Sequence, residues 1–132
     1  MKRNAVIPFC LVVLCLLTAC QATPQLEASD LIGVWVQDGE YPFFFVDEDG
    51  RYYYTPQNAR ENAFMFGTYV LEGNTITITG DEDSPECAME SMTWEVEIVD
   101  EDNLIFTPIE VNCVQWEGVA GTGGYPFSRF MP

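Results

Sequence analysis

The sequence has no histidine, and 5 basic side chains stand against 21 acidic ones in 132 residues, a formal net charge of -16. Lys2 and Arg3 precede an uncharged N-terminal run, so beyond that run the basic residues are Arg51, Arg60 and Arg129, with no lysine. Each scarcity excludes something. A nucleic-acid binder neutralises the phosphate backbone with lysine and arginine, and this chain has almost none to offer. A catalyst needs a positioned base or nucleophile, and histidine and lysine are the ones missing. Ser29, Ser84, Ser91 and Ser128 lie outside any Gly-X-Ser-X-Gly setting. A carboxylate pair of the glycosidase kind is left, but chance alone supplies such pairs among 21 acids. The glycine-rich stretch 121–124 lacks the lysine and helix of a phosphate-cradling loop. The chain therefore reads as non-enzymatic.

What is present begins with an address. Two positive charges, an apolar core over residues 5–17 and small residues after it describe a secretory signal peptide. The core is shorter than the about 20 residues a membrane-spanning helix needs. Leu17-Thr18-Ala19-Cys20 resembles the bacterial lipobox. That resemblance implies removal of residues 1–19, a diacylglyceryl thioether on Cys20, and palmitate-like acyl chains that anchor the protein. Such chains contribute about 0.8 kcal/mol per buried CH₂. Gln21 is not the aspartate that retains lipoproteins in the inner membrane of enterobacteria. The expected place is the bacterial cell envelope: the outer membrane in a two-membrane host, the outer face of the cell membrane otherwise. Residues 20–28 comprise the lipidated cysteine and a short polar tether, and residues 29–132 the folded domain.

Cleavage and acylation dispose of Cys10, Cys15 and Cys20, leaving Cys87 and Cys113. An exported compartment permits disulfides, so one Cys87–Cys113 bridge is expected. In the chain-entropy picture it would stabilise the fold by roughly 3.5 kcal/mol. A zinc site is the competing reading, but two cysteines without histidine leave a tetrahedral shell incomplete.

The body of the chain has the pattern of an all-β protein. Ser29 or Asp30 can cap one helical turn before Leu31-Ile32-Gly33-Val34-Trp35. Aromatic runs at 41–46 and 51–55 flank the turn Asp47-Glu48-Asp49-Gly50, and runs at 64–72 and 75–79 flank Gly73-Asn74. Residues 93–98 alternate strictly, which puts Trp94, Val96 and Ile98 on one buried face. A turn at 100–103 leads to residues 104–107, and Pro108 demands an edge, a bend or a bulge. Residues 125–130 are too aromatic for a loose tail and read as a last strand or lid. Seven or eight such strands without a helical period indicate a sandwich or a closed barrel.

Gly33-Val34-Trp35 after a short helical turn resembles the start of lipocalins. The order Phe45 to Gly50, Gly67-Thr68-Tyr69, Thr75 to Ile78, Cys87, Trp94 to Val96, Leu104 to Phe106 and Cys113 is similar to small bacterial lipocalin-like lipoproteins. The resemblance implies a single antiparallel up-and-down β-barrel of about eight strands. It also implies a cation packed over Trp35. The basic residue that usually follows the second cysteine is replaced by Gln115 and Trp116, and Arg129 is the remaining candidate.

A lipocalin-like barrel suggests a small apolar ligand, with Trp35, Phe43, Phe45, Tyr53, Tyr69 and Trp94 as lining residues. Against this, such large side chains can fill a small eight-stranded barrel. The alternative is an interaction module with a filled barrel and an aromatic patch for another envelope protein. An up-and-down meander also gathers acids at the hairpin tips. Asp47, Asp49, Asp100 and Asp102 are thus candidates for weak Ca²⁺ binding, although no EF-hand spacing is present and turn acids that merely solvate the hairpins explain them better.

Overall fold

Strand β6, Ser91–Asp100, places Met92, Trp94, Val96 and Ile98 on one side and Thr93, Glu95 and Glu97 on the other, which suits a sheet with one dry face and one wet face. The computed structural model describes residues 25–40 and 42–131, so the signal segment, Cys20 and the first part of the tether lie outside the described residues. The other strands are β1 Gly33–Gln37, β2 Phe43–Val46, β3 Arg51–Thr55, β4 Met65–Glu72, β5 Thr75–Gly80, β7 Asn103–Asn112 and β8 Tyr125–Arg129. Each pairs antiparallel with its neighbours in sequence, and β8 returns to β1. The result is the closed eight-stranded barrel expected from the sequence. Closure leaves no edge strand to recruit another chain.

The tight connections fall at one end of this barrel. They are residues 47–50, the two-residue hairpin 73–74 and the turn 101–102. The longer connections 38–42, 56–64, 81–90 and 113–124 fall at the other end. Pro108 sits opposite Trp94, where the β6–β7 register shifts, the irregularity required of a residue without an N–H. The Cys87–Cys113 disulfide is formed, with Cα atoms 5.3 Å apart.

The end with the tight turns is plugged. Helix α1, Ala28–Leu31, starts one residue before the expected cap, and Asp30 takes the Glu27 N–H at 2.8 Å. It carries Leu31 into the barrel, and Leu26 is buried beside it. The Trp35 indole, fully buried, donates to the Leu31 carbonyl at 2.8 Å. Arg129 supplies the cation left open by the sequence: its guanidinium lies 4.4 Å from the Trp35 ring centre. The same group donates to the Ile32 and Asp30 carbonyls, so it ties β8 to the α1 segment.

The middle of the barrel corrects one expectation. Three consecutive phenylalanines and three consecutive tyrosines carry no alternation, and a shift of one residue exchanges the faces of a strand. Pairing decides the matter: Trp35 stands opposite Phe44, Phe44 opposite Tyr54, and Val46 opposite Tyr52. Phe44, Tyr52 and Tyr54 therefore point inward, and Phe43, Phe45 and Tyr53 lie on the outer wall. There Phe43 meets Phe130 edge to face at 5.3 Å and Tyr53 stacks on Phe66 at 6.3 Å. The Arg60 guanidinium, paired with Asp47, covers the rings of both Phe45 and Tyr53 at 5.3 Å. Inside, the Phe44 ring is ringed by Tyr52, Tyr54, Phe106 and Phe127 at 5.8 to 6.4 Å. Burying one such phenylalanine contributes roughly 1.5–3 kcal/mol.

Tyr52 is the polar exception in this core. It is fully buried, and its hydroxyl has no hydrogen-bond partner. Burial, reinforced by the negative charge of Asp81, pushes the phenol well above its usual range. The folded protein thus keeps a proton that the unfolded chain releases near pH 10, so this group withdraws stability as pH rises above about 10. Tyr52→Phe removes an unsatisfied hydroxyl and keeps the ring. We expect unchanged or higher stability at pH 7, by up to about 1 kcal/mol, and a shallower loss above pH 10, both read from urea unfolding.

Candidate binding site at the barrel mouth

The open end is built from the two long loops that the disulfide joins. Loop 81–90 folds back onto β5: Gly80 has no side chain, and a Cβ there would run into the Cys87 carbonyl. Arg51 holds the start of this loop through a two-pronged pair with Asp81, at 3.1 and 2.6 Å. Ser84, buried, takes the Phe66 N–H and gives its own proton to the Glu86 carbonyl at 2.6 Å. The Glu86 N–H then bonds the Phe64 carbonyl at 2.9 Å. Glu86 is thereby fixed on the rim beside Phe64.

Across the disulfide, residues 113–124 run from β7 to β8 and include a 3₁₀ segment, Val114–Val119. This segment lays Trp116 over the mouth. The indole donates to a Glu86 carboxylate oxygen at 2.7 Å. Its ring lies 5.3 Å from Tyr54 and parallel to Phe64 at 6.4 Å. On the opposite side Tyr125 packs edge to face on Trp94 at 6.0 Å.

Between these walls lies an open cleft of about 490 Å³ lined by Phe64, Tyr54, Trp116 and Tyr125, with Glu86, Gln37 and Gln115 as its polar groups. Its floor gives onto an apolar pocket of about 60 Å³ beside Phe44, Met65, Ile78 and Trp94. Gln37, Tyr54, Trp116, Val119 and Tyr125 border both spaces. Ligand pockets are usually about 300–1,000 Å³, so the inner space has room only for a small apolar tip, while the cleft has room for a whole small molecule.

Of the six residues expected to line a ligand site, Trp94 borders the inner pocket. Trp35 belongs to the plugged end. Tyr69 faces inward opposite Ile78, but its hydroxyl donates to the Asp47 carbonyl at 2.8 Å, away from the mouth. Its phenol is raised by burial and then by the nearby Asp49 and Asp47. Phe43, Phe45 and Tyr53 are on the outer wall. Trp116, Phe64 and Glu86 were missed, because they lie on loops without periodicity. The signal that could have found them is Trp116 three residues after Cys113 and Glu86 beside Cys87, since a disulfide brings those neighbours together.

The acidic hairpin tips are occupied by their own turns and arginines. Asp47 pairs with Arg60, and Asp102 with Arg129 at 3.4 Å. Asp49 accepts the Arg51 N–H. Asp100 takes the Asn103 side-chain amide at 2.9 Å and the Asp102 N–H at 2.8 Å, bonds that hold its carboxyl below the usual range. Among the described residues these four aspartates do not converge. The group of three donors that does come together is Cys87, Glu90 and Cys113, whose sulfurs form the disulfide.

If the disulfide holds the mouth, its removal should act there first. Replacing Cys87 and Cys113 together by alanine should lower stability by about 3 kcal/mol. Hydrogen exchange of the Trp116 indole should accelerate well before that of Trp35. Equal acceleration of the two indoles would mean that the bridge stabilises the barrel as a whole.

No family model matches the chain, and no curated protein does. Among solved structures, the barrel is similar to the crystal structure of pallilysin from Treponema pallidum, with a TM-score of 0.50 and 14% sequence identity, covering 80% of this chain and 83% of that one. At this identity the likeness is one of fold.

Proposed function

We propose that this is an exported, lipid-anchored protein of the bacterial cell envelope whose barrel is a non-catalytic binding module, taking a small ligand with an apolar part at its mouth. The observation that carries the reading is the contrast between an interior reduced to about 60 Å³ and a cleft of about 490 Å³ beneath Trp116. A fatty-acid chain has no room along the barrel axis, where Phe44 and its ring neighbours stand. A small ligand has aromatic walls and three polar groups that can orient it. The plugged end, the anchor at Cys20 and the short tether together favour a mouth that faces away from the membrane. The lack of histidine and lysine in the folded part supports binding without chemistry.

A second reading rests on a separate observation. Two half-buried aromatic pairs, Phe43 with Phe130 and Tyr53 with Phe66, form a strip of outer wall that Arg60 covers only at Tyr53. Such a strip suits contact with another envelope protein.

Two outcomes test the main reading. A small neutral hydrophobe such as tert-butylbenzene should change the tryptophan fluorescence saturably, and Trp116→Phe should remove most of the change, while palmitate should give no saturable signal. A saturable palmitate signal that survives Trp116→Phe would favour a carrier of a different geometry. Metabolic labelling with palmitate should tag the chain and not its Cys20→Ser variant; a chain that takes up no label, or a variant labelled as strongly, would remove the lipid anchor at Cys20.

A further inference from the structure

The cleft carries one charge and it is negative. Glu86 is half-buried in the wall, and one of its carboxylate oxygens holds the Trp116 indole at 2.7 Å. No lysine or arginine lines either the cleft or the pocket beneath it. The three arginines of the described residues are committed elsewhere: Arg51 to Asp81, Arg60 to Asp47, and Arg129 to Asp102 and the Trp35 ring. The remaining walls are the rings of Phe64, Tyr54, Trp116 and Tyr125.

A carboxylate among aromatic faces has a definite ligand chemistry. Ring faces are electron-rich and attract cations, and the attraction grows when the cation leaves bulk water. An anion would meet Glu86 without a compensating charge, and the field of a chain with a net charge of -16 would repel it on approach. A neutral hydrophobe would use the rings and leave the carboxylate idle. We infer that the mouth is a site for a small organic cation: an ammonium head set in the cleft against the Glu86 carboxylate and the surrounding rings, with a short apolar body directed into the pocket beside Phe44 and Trp94. The inference deepens the mouth-binding reading above and rests on it. Size completes the description, since the cleft admits an arylalkyl ammonium whole and the pocket admits only its tip.

The test compares three probes of nearly one shape with the purified full chain: benzyltrimethylammonium, its neutral isostere neopentylbenzene, and phenylmethanesulfonate as the anion. Binding is read by calorimetry and tryptophan fluorescence at low and high salt. The cation should bind at least about tenfold more tightly than the neutral isostere at low salt, and the anion should not bind. Glu86→Gln retains an oxygen to accept the Trp116 indole and removes the charge. It should erase most of the preference for the cation, read as the ratio of the cation's affinity to that of the neutral isostere. If cation and isostere bind equally, or if the preference survives Glu86→Gln, the cation site is refuted and mouth binding stands. If no probe binds, mouth binding falls and the cation site falls with it.

Discussion

The packing of the Phe44 ring is the constraint on which the rest of this barrel depends. It stands among Tyr52, Tyr54, Phe106 and Phe127, side chains from β3, β7 and β8. An eight-stranded barrel has an interior just wide enough for side chains to fill or for one small ligand to occupy, and here the rings take the first course. What space remains is displaced toward the mouth. The size of the inner pocket, the exclusion of long chains and the importance of the loops all follow from that.

The two ends answer different needs. At the plugged end Leu31, Trp35 and Arg129 interlock, and Arg129 does so from the far end of the sequence: its bond to the Asp30 carbonyl spans 99 residues. Such long-range ties close a barrel, because the first and last strands must meet. At the mouth the ties are short in space but come from loops. The Cys87–Cys113 bridge, the Arg51–Asp81 pair and the Glu86–Trp116 bond hold loops that hydrophobic burial alone would leave loose. Rigidity at the mouth favours the proposed recognition, since a preorganised cleft has less ordering entropy to lose on binding.

Much of the fold was legible in the sequence, for reasons that differ element by element. The alternation of Trp94, Val96 and Ile98 announced a strand with one buried face. Asp-Gly and Gly-Asn pairs announced the hairpins, and two remaining cysteines announced the bridge. Closure by β8 and a cation over Trp35 were anticipated through likeness to small lipocalin-like proteins, and Arg129 performs that part. The face of the aromatic runs was illegible, because Phe43 to Phe45 and Tyr52 to Tyr54 are uniform, and only pairing with Trp35 settles which of them point inward. The mouth was illegible for a different reason. Phe64, Glu86 and Trp116 converge through loop geometry and a disulfide, neither of which leaves a period in the sequence.

Charge and shape thus lead to one picture: a strongly acidic barrel, full along its axis, with an aromatic and acidic cleft at one end. Its three tryptophans divide that picture among themselves, Trp35 at the plugged end, Trp94 in the wall of the inner pocket and Trp116 over the cleft. Following their indole N–H signals by ¹⁵N NMR during titration with a binding ligand tests the account most directly. Trp116 should shift most, Trp94 less, and Trp35 not at all. A ligand that moves Trp35 along with Trp94 would have reached the plugged end, and the claim of a filled barrel would be contradicted.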